Sequence, residues 1–118
     1  MKIAIPIDEN KETVCVSFGR APYFLIHDTE TKTSKIKMNP AAEAEGGAGL
    51  KAAQFVVDVG ADELITVRCG QNAADVFKAA GVKIYKTLST YADENLKALF
   101  EGKLDELTSF HPGFHGKS

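Results

Sequence analysis

Gly46-Gly47-Ala48-Gly49-Leu50-Lys51-Ala52-Ala53-Gln54-Phe55-Val56-Val57-Asp58-Val59-Gly60-Ala61-Asp62-Glu63-Leu64-Ile65-Thr66-Val67 is the stretch that decides the fold. Leu50, Ala53, Val56 and Val57 follow helical spacing, and Gly60 is a natural C-terminal stop. Glu63 to Val67 then reads as a short strand. The same alternation repeats downstream. Asn72 can cap a helix carrying Ala73, Val76, Phe77 and Ala80, closed by Gly81. Val82 to Tyr85 is a strand. Thr90 can cap a last helix carrying Ala92, Leu96, Leu99 and Phe100, with Gly102 near its end.

Upstream of Gly46 the pattern is strands alone. Lys2 to Ile7 is an apolar, β-branched run that ends in the turn Asp8-Glu9-Asn10. Tyr23 to His27 is a second strand, and Asp28-Thr29-Glu30-Thr31-Lys32 turns into a third, Ser34 to Met38. There Ile36 and Met38 alternate with lysines, as in an edge or half-buried strand. Such a meander makes strand 2 antiparallel to both neighbours. The order β-β-β-α-β-α-β-α predicts an α/β domain of three layers, α/β/α. Its mixed five-stranded sheet has the order 3-2-1-4-5, with strand 2 antiparallel to the rest and right-handed crossovers.

The 118 residues fit one domain, expected over 1–109. With 44% apolar residues a core forms without staples. A net charge of -2 gives no electrostatic reason to expect nucleic acid. No apolar run approaches the ~20 residues of a membrane span. Met1-Lys2-Ile3-Ala4-Ile5-Pro6 lacks the features of a signal peptide, so a cytoplasmic location is expected. From Phe110 onward the chain has no periodicity, and 110–118 is expected to be a flexible tail. His111 and His115 lie four apart in it, but Pro112 and Gly113 rule out a shared helical face, leaving a weak metal-binding tail.

In open α/β sheets, ligands sit in the crevice beyond the carboxyl ends of the strands. Four segments are expected to converge on that rim: Asp8–Phe18 with Gly19-Arg20-Ala21-Pro22, Asn39–Gly49, Arg68–Asn72 and Lys86–Thr90. Gly46, Gly47 and Gly49 open a helix there, and free amides at a helix start favour anions; glycines also serve simply as turns. The loop lacks the Gly-Lys-Ser/Thr ending of a phosphate-binding Walker loop. Arg20 suits either an anionic ligand or a rim carboxylate. Cys15 and Cys69 are either soft metal ligands or small buried residues. Arg68 and the following helix start favour thiolate at Cys69, while burial opposes it. The expectation is a partly exposed Cys69, more reactive than Cys15 and the first to bind a soft metal. His27, inside a strand, is expected to be structural.

Phe18-Gly19-Arg20-Ala21-Pro22-Tyr23-Phe24, Gly46-Gly47-Ala48-Gly49, Gly70-Gln71-Asn72-Ala73 and Ala80-Gly81-Val82-Lys83-Ile84-Tyr85, in that order, resemble the dinitrogenase iron–molybdenum cofactor biosynthesis family. The resemblance spans nearly all of residues 1–110. It implies a ribonuclease-H-like fold and a role in carrying or inserting an iron–molybdenum cofactor or its iron–sulfur precursors. Where many members have a histidine before Phe-Gly-Arg, this chain has Ser17; near the glycine-rich loop, Ala42-Glu43-Ala44-Glu45 offers none. Cys15 and Cys69 are left as substitutes for those ligands.

The leading expectation is therefore a non-enzymatic binding or carrier protein for an iron–sulfur or iron–molybdenum-type cluster, working with cluster-donor and cluster-acceptor proteins. Its expected site is Cys15, Ser17, Arg20, Gly46, Gly47, Gly49, Cys69 and Asn72, with Cys15, Cys69, His111 and His115 as metal ligands. A metal-dependent nuclease is a second reading. It needs clustered carboxylates, and strand 4 ends in Thr66-Val67-Arg68-Cys69 with none beside Asp8. A non-catalytic protein-interaction module is the third.

Overall fold

A computed structural model describes residues 1–111. Five strands, β1 (Lys2–Ile7), β2 (Tyr23–Asp28), β3 (Thr33–Met38), β4 (Glu63–Thr66) and β5 (Lys83–Lys86), form one sheet. Its order is β3-β2-β1-β4-β5, as the sequence predicts. β2 runs antiparallel to β1 and β3, whereas β1, β4 and β5 are mutually parallel. The helices are α1 (Ala48–Asp58), α2 (Gln71–Ala80) and α3 (Ala92–Phe100). Among the described residues no helix is long and apolar enough to cross a membrane.

The period-two alternation of β1 sorts its residues to two cores. Ala4 faces the side covered by α1 and α2, where Phe24, Ile26, Leu64 and Ile84 of the sheet meet Ala52, Ala53, Val56, Ala73, Ala74 and Phe77. Ile3, Ile5 and Ile7 face the other side, where with Ile65 they meet Ala92 and Leu96 of α3. Small residues line the first core on both helices, which lets α1 and α2 sit close together over the sheet. Each fully buried phenylalanine or branched side chain contributes about 1.5–3 kcal/mol. The single helix α3 leaves β3 uncovered, and all six of its residues are exposed, Ile36 and Met38 included.

Two helix starts differ from the sequence expectation. α2 begins at Gln71 with Gly70 at its N-cap, so Asn72 lies inside the first turn instead of capping it. At α3 the N-cap is Tyr91, not Thr90, and Asn95 organises the preceding loop from within the helix. Phe100, expected on the apolar stripe of α3, is 56% exposed, its ring against His27 at 5.6 Å between centroids. His27 also bonds Ser34 through Nδ1 at 2.8 Å, in keeping with a structural role.

The segment after α3 stays attached to the body through His111. The Lys86 amide donates to the Asp105 carbonyl, the Leu107 amide to Ile84, and the Gln71 amide to His111. Leu107 and Phe110 pack against the core under α1 and α2. Phe110 and His111, expected in the tail, thus contact the domain, and the remainder of that segment, with His115, lies outside the described residues.

Candidate functional site

A cleft of about 560 Å³ opens on the α1–α2 side of the rim beyond the strand ends. Three of the four expected segments line it: Val16–Arg20, Glu45–Leu50, and Arg68 to Ala73 without Gln71. The fourth, Lys86–Thr90, does not. It turns toward α3, where the Leu88 and Ser89 amides donate to Asn95 Oδ1. Ser17, Arg20, Gly46, Gly47, Gly49, Cys69, Asn72 and His111 are all brought to the cleft. Cys15 is not among its lining residues. Its amide donates to the Pro6 carbonyl, and its thiol is pushed up chiefly by burial, with Asp8 adding to the rise.

Two helix N-termini open onto this cleft. α1 starts after Gly47, whose φ of 69° is a left-handed conformation that glycine adopts without strain. Neither α1 nor α2 has a side-chain cap or an acidic residue in its first turn. In contrast, α3 carries Asp93 and Glu94 there. First-turn amides left without such partners, and the positive ends of two helix dipoles, favour an anion between them. Arg20 and Arg68 add two guanidiniums to the wall, against a single carboxylate, Glu45.

Arg20 pairs with no carboxylate among the described residues. Its Nη1 donates to the Ala44 carbonyl at 2.6 Å and to that of Ala42 at 3.4 Å. Its amide donates to Ser17 Oγ at 3.3 Å. Buried Asn39 completes the clasp: Nδ2 donates to the Gly19 and Ala21 carbonyls at 3.0 and 2.9 Å, and Oδ1 accepts from the Ala41 amide. The loop carrying Arg20 and the loop leading to α1 are therefore locked together, leaving Nε and the second terminal nitrogen of Arg20 for a ligand. Sequence reasoning passed over Asn39 and gave Arg68 only a supporting part. The sequence marks Asn39 only as the start of the Asn39–Gly49 segment, and the two carbonyls that its Nδ2 reaches lie 18 and 20 residues away.

Cys69 differs most from expectation. It is 1% exposed instead of partly exposed. Burial pushes its thiol from the ordinary 9.0 to about 12. The reason is local: Arg68 is exposed, where water screens its charge, while the sulfur packs into the core and donates to the Gly70 carbonyl at 3.5 Å. In a Cys15→Ser variant, Cys69 is expected to resist alkylation at neutral pH, slower than an ordinary thiol by about a thousandfold, since each pKa unit removes tenfold of thiolate. A rate within tenfold of a free thiol contradicts this. Because the folded-state pKa is the raised one, the stability this thiol contributes is present below pH 9 and lost as pH rises through 12.

Among the described residues no group of three or more His, Cys, Asp or Glu side chains is placed to hold a metal ion. The cleft's chemistry is donation from nitrogen: backbone amides and the Arg20 and Arg68 guanidiniums.

Comparison with known proteins adds to this geometry. The family model described as "Dinitrogenase iron-molybdenum cofactor" matches residues 1–102. An uncharacterized protein of Methanocaldococcus jannaschii is 36% identical over 109 residues, covering 90% of this chain and 91% of that one. The apo form of the orange protein from Desulfovibrio gigas superposes with a TM-score of 0.83 at 26% identity, covering 92% of this chain and 93% of the other. A candidate NifB protein from Thermotoga gives 0.77 at 39% identity, covering 92% and 95%.

Proposed function

The chain belongs to the dinitrogenase iron–molybdenum cofactor family, and on that premise we propose that its cleft binds a preassembled, anionic metal–sulfur cluster. The protein carries this cargo from a cluster-donor to a cluster-acceptor protein. The observation that carries the reading is the convergence of two uncapped helix N-termini, without first-turn acids, on one cleft walled by Arg20 and Arg68. Such a site holds a multiply charged anion by hydrogen bonds and field.

The donor set also speaks to how the cargo is held. Cys69 is the one thiol in the lining and is strongly protonated, and Cys15 stands outside it. Clusters anchored by protein need several thiolates. The cargo therefore brings its own sulfide or thiolate ligands and is gripped from outside, as a protein that must hand it on requires. The nuclease reading finds no support in the carboxylates: Asp8 Oδ2 accepts the Thr13 hydroxyl at 2.6 Å, and no acidic cluster stands beside it among the described residues.

Tetrathiomolybdate, a sulfur-bearing metal dianion, is the simplest probe. Anaerobic equilibrium dialysis with molybdenum quantitation is expected to give saturable binding that weakens with salt. Arg20→Ala and Arg68→Gln are each expected to weaken it by about tenfold, the range of a charge-assisted hydrogen bond. Binding by the parent chain that ignores both substitutions, or no binding at low salt, overturns the proposal.

A further inference from the structure

We propose that the outer edge of β3 is a docking site for a partner protein, which adds an extended segment of alternating acidic and apolar residues to the sheet. β3 is the end strand of the sheet, six residues long, without proline and exposed throughout. Among the described residues no other segment pairs with its outer side. The direction of its backbone groups follows from the ladder with β2. The Asn39 amide donates to the Pro22 carbonyl at 3.1 Å, one position beyond the Tyr23–Met38 pair. Bonded and non-bonded pairs alternate along an antiparallel ladder, so Thr33, Lys35 and Lys37 turn their amides and carbonyls toward β2. Ser34, Ile36 and Met38 turn theirs outward. The result is a row of donors and acceptors of the kind that strand addition uses.

The side chains set the partner's chemistry. Lys35 and Lys37 stand opposite Ile26 and Phe24, and so lie on the face that carries α1 and α2. There a concavity of about 300 Å³ is lined by Lys2, Lys35 and Lys37 against one carboxylate, Asp28. Asp28 is engaged by its own turn, its Oδ1 accepting the Glu30 amide at 2.9 Å. Among the described residues none of these lysines forms a salt bridge. Ile36 and Met38, opposite Leu25 and Tyr23, lie on the α3 face and are 43% and 76% exposed. A strand laid along β3 therefore meets lysines with every second side chain and apolar surface with the others, which calls for acidic residues alternating with apolar ones. A second copy of this chain lacks that complementarity. Antiparallel pairing of two β3 strands centred on Ile36 sets Lys35 opposite Lys37 on both sides, and like charges directly opposite are destabilising. The lysines thus guard the edge against self-association and leave it open to an acidic strand. β3 leads directly into Asn39, whose side chain clasps the cleft loops, so a partner docked here sits beside the segment that leads to α1.

The probe is an end-blocked hexapeptide of alternating glutamate and valine, titrated into ¹⁵N-labelled protein. No metal is present, so the outcome is independent of the cargo assigned to the cleft. Saturable binding is expected, weakened by salt, with the largest shifts at the outward amides of Ser34, Ile36 and Met38. The double variant Lys35→Glu/Lys37→Glu is expected to lose about tenfold or more in affinity. A lysine–valine peptide should not bind the parent chain. Ile36→Pro removes an amide that β2 does not use, so its melting should stay close to that of the parent chain while binding falls by about tenfold. The glutamate–valine peptide with its backbone amides N-methylated applies the same block to the parent chain, whether or not that variant folds, and should bind as weakly. No binding by the parent chain, or an affinity of the lysine double variant within twofold of the parent, overturns the proposal. So does an N-methylated peptide that binds as tightly as the unmodified one. Concentration-dependent dimer formation by the parent chain, abolished in Lys35→Glu/Lys37→Glu or Ile36→Pro, gives the edge to a second copy and overturns the acidic partner.

Discussion

Replacing Asn95 with alanine is expected to destabilise the fold by about 3–4 kcal/mol, the largest loss foreseen for any polar side chain here. Asn95 is fully buried on α3 at 0% exposure. Its Oδ1 accepts the amides of Leu88 and Ser89 at 2.8 and 3.1 Å. Its Nδ2 donates to the carbonyls of Ser89 and Tyr91, both at 2.8 Å. Alanine leaves the Leu88 and Ser89 amides and the Ser89 carbonyl without this partner, while the Tyr91 carbonyl keeps the backbone amide of residue 95; each unsatisfied group costs about 1–3 kcal/mol before water and local relaxation recover some of it. The damage should spread. The Val14 amide donates to Thr90 and the Ala92 amide to Glu12, so the loop that Asn95 braces also holds the segment leading to Val16–Arg20. Asn95→Asp keeps the two accepted bonds but turns a buried carboxylate oxygen on the Ser89 and Tyr91 carbonyls, so it is expected to be destabilising as well. Urea unfolding of both variants checks this; a loss below 1 kcal/mol for Asn95→Ala shows that the loop holds itself.

Gly19→Ala should cost about 2–3 kcal/mol by overpacking and also loosen the cleft. A Cβ at Gly19 would lie 2.9 Å from the Gly49 nitrogen, 3.0 Å from its Cα and 3.1 Å from the Ala48 carbonyl carbon. These are backbone atoms at the start of α1, so no side chain can swing aside. Either the Phe18–Arg20 loop or the α1 terminus must move, and both are cleft walls. Gly49→Ala is the matched control, because a Cβ there meets nothing within 4 Å. Its stability is expected to stay within about 0.5 kcal/mol of the parent. Thermal melts and thiomolybdate titrations of the two variants test the pair. Equal effects would mean that the close approach at Gly19 is not what holds the walls together.

The contrast between these glycines shows where sequence reasoning reaches. Gly46, Gly47 and Gly49 stand out because they cluster before a helical pattern, and all three do line the cleft. Only Gly47, at φ 69°, has a backbone reason to be glycine, and none of the three is sterically confined. The confined one is Gly19, whose neighbour across the gap lies thirty residues away in sequence, and no local pattern marks it.

The strand order and the helix positions were legible because their signals are local. The apolar, β-branched runs at Lys2–Ile7 and Tyr23–His27, the alternation in Ser34–Met38, helical spacing from Leu50, and glycines after each helix specify elements within a few residues. Short connections then leave few ways to join them. The rim of the sheet followed from strand direction alone. Tertiary structure decided what shares that rim. It put α1 and α2 on one face, so that Lys86–Thr90 turned away with α3 and Cys15 fell outside the lining. It buried Cys69, reversing a thiol argument built on adjacent charges, because desolvation depends on what packs around an atom and not on its chain neighbours. It also brought His111 round the β5 edge onto Gly70, a contact between residues 41 positions apart. Helical and strand periods arise from the backbone of a few consecutive residues; burial and long-range hydrogen bonds arise from the whole chain closing on itself, and this cleft was built by the second.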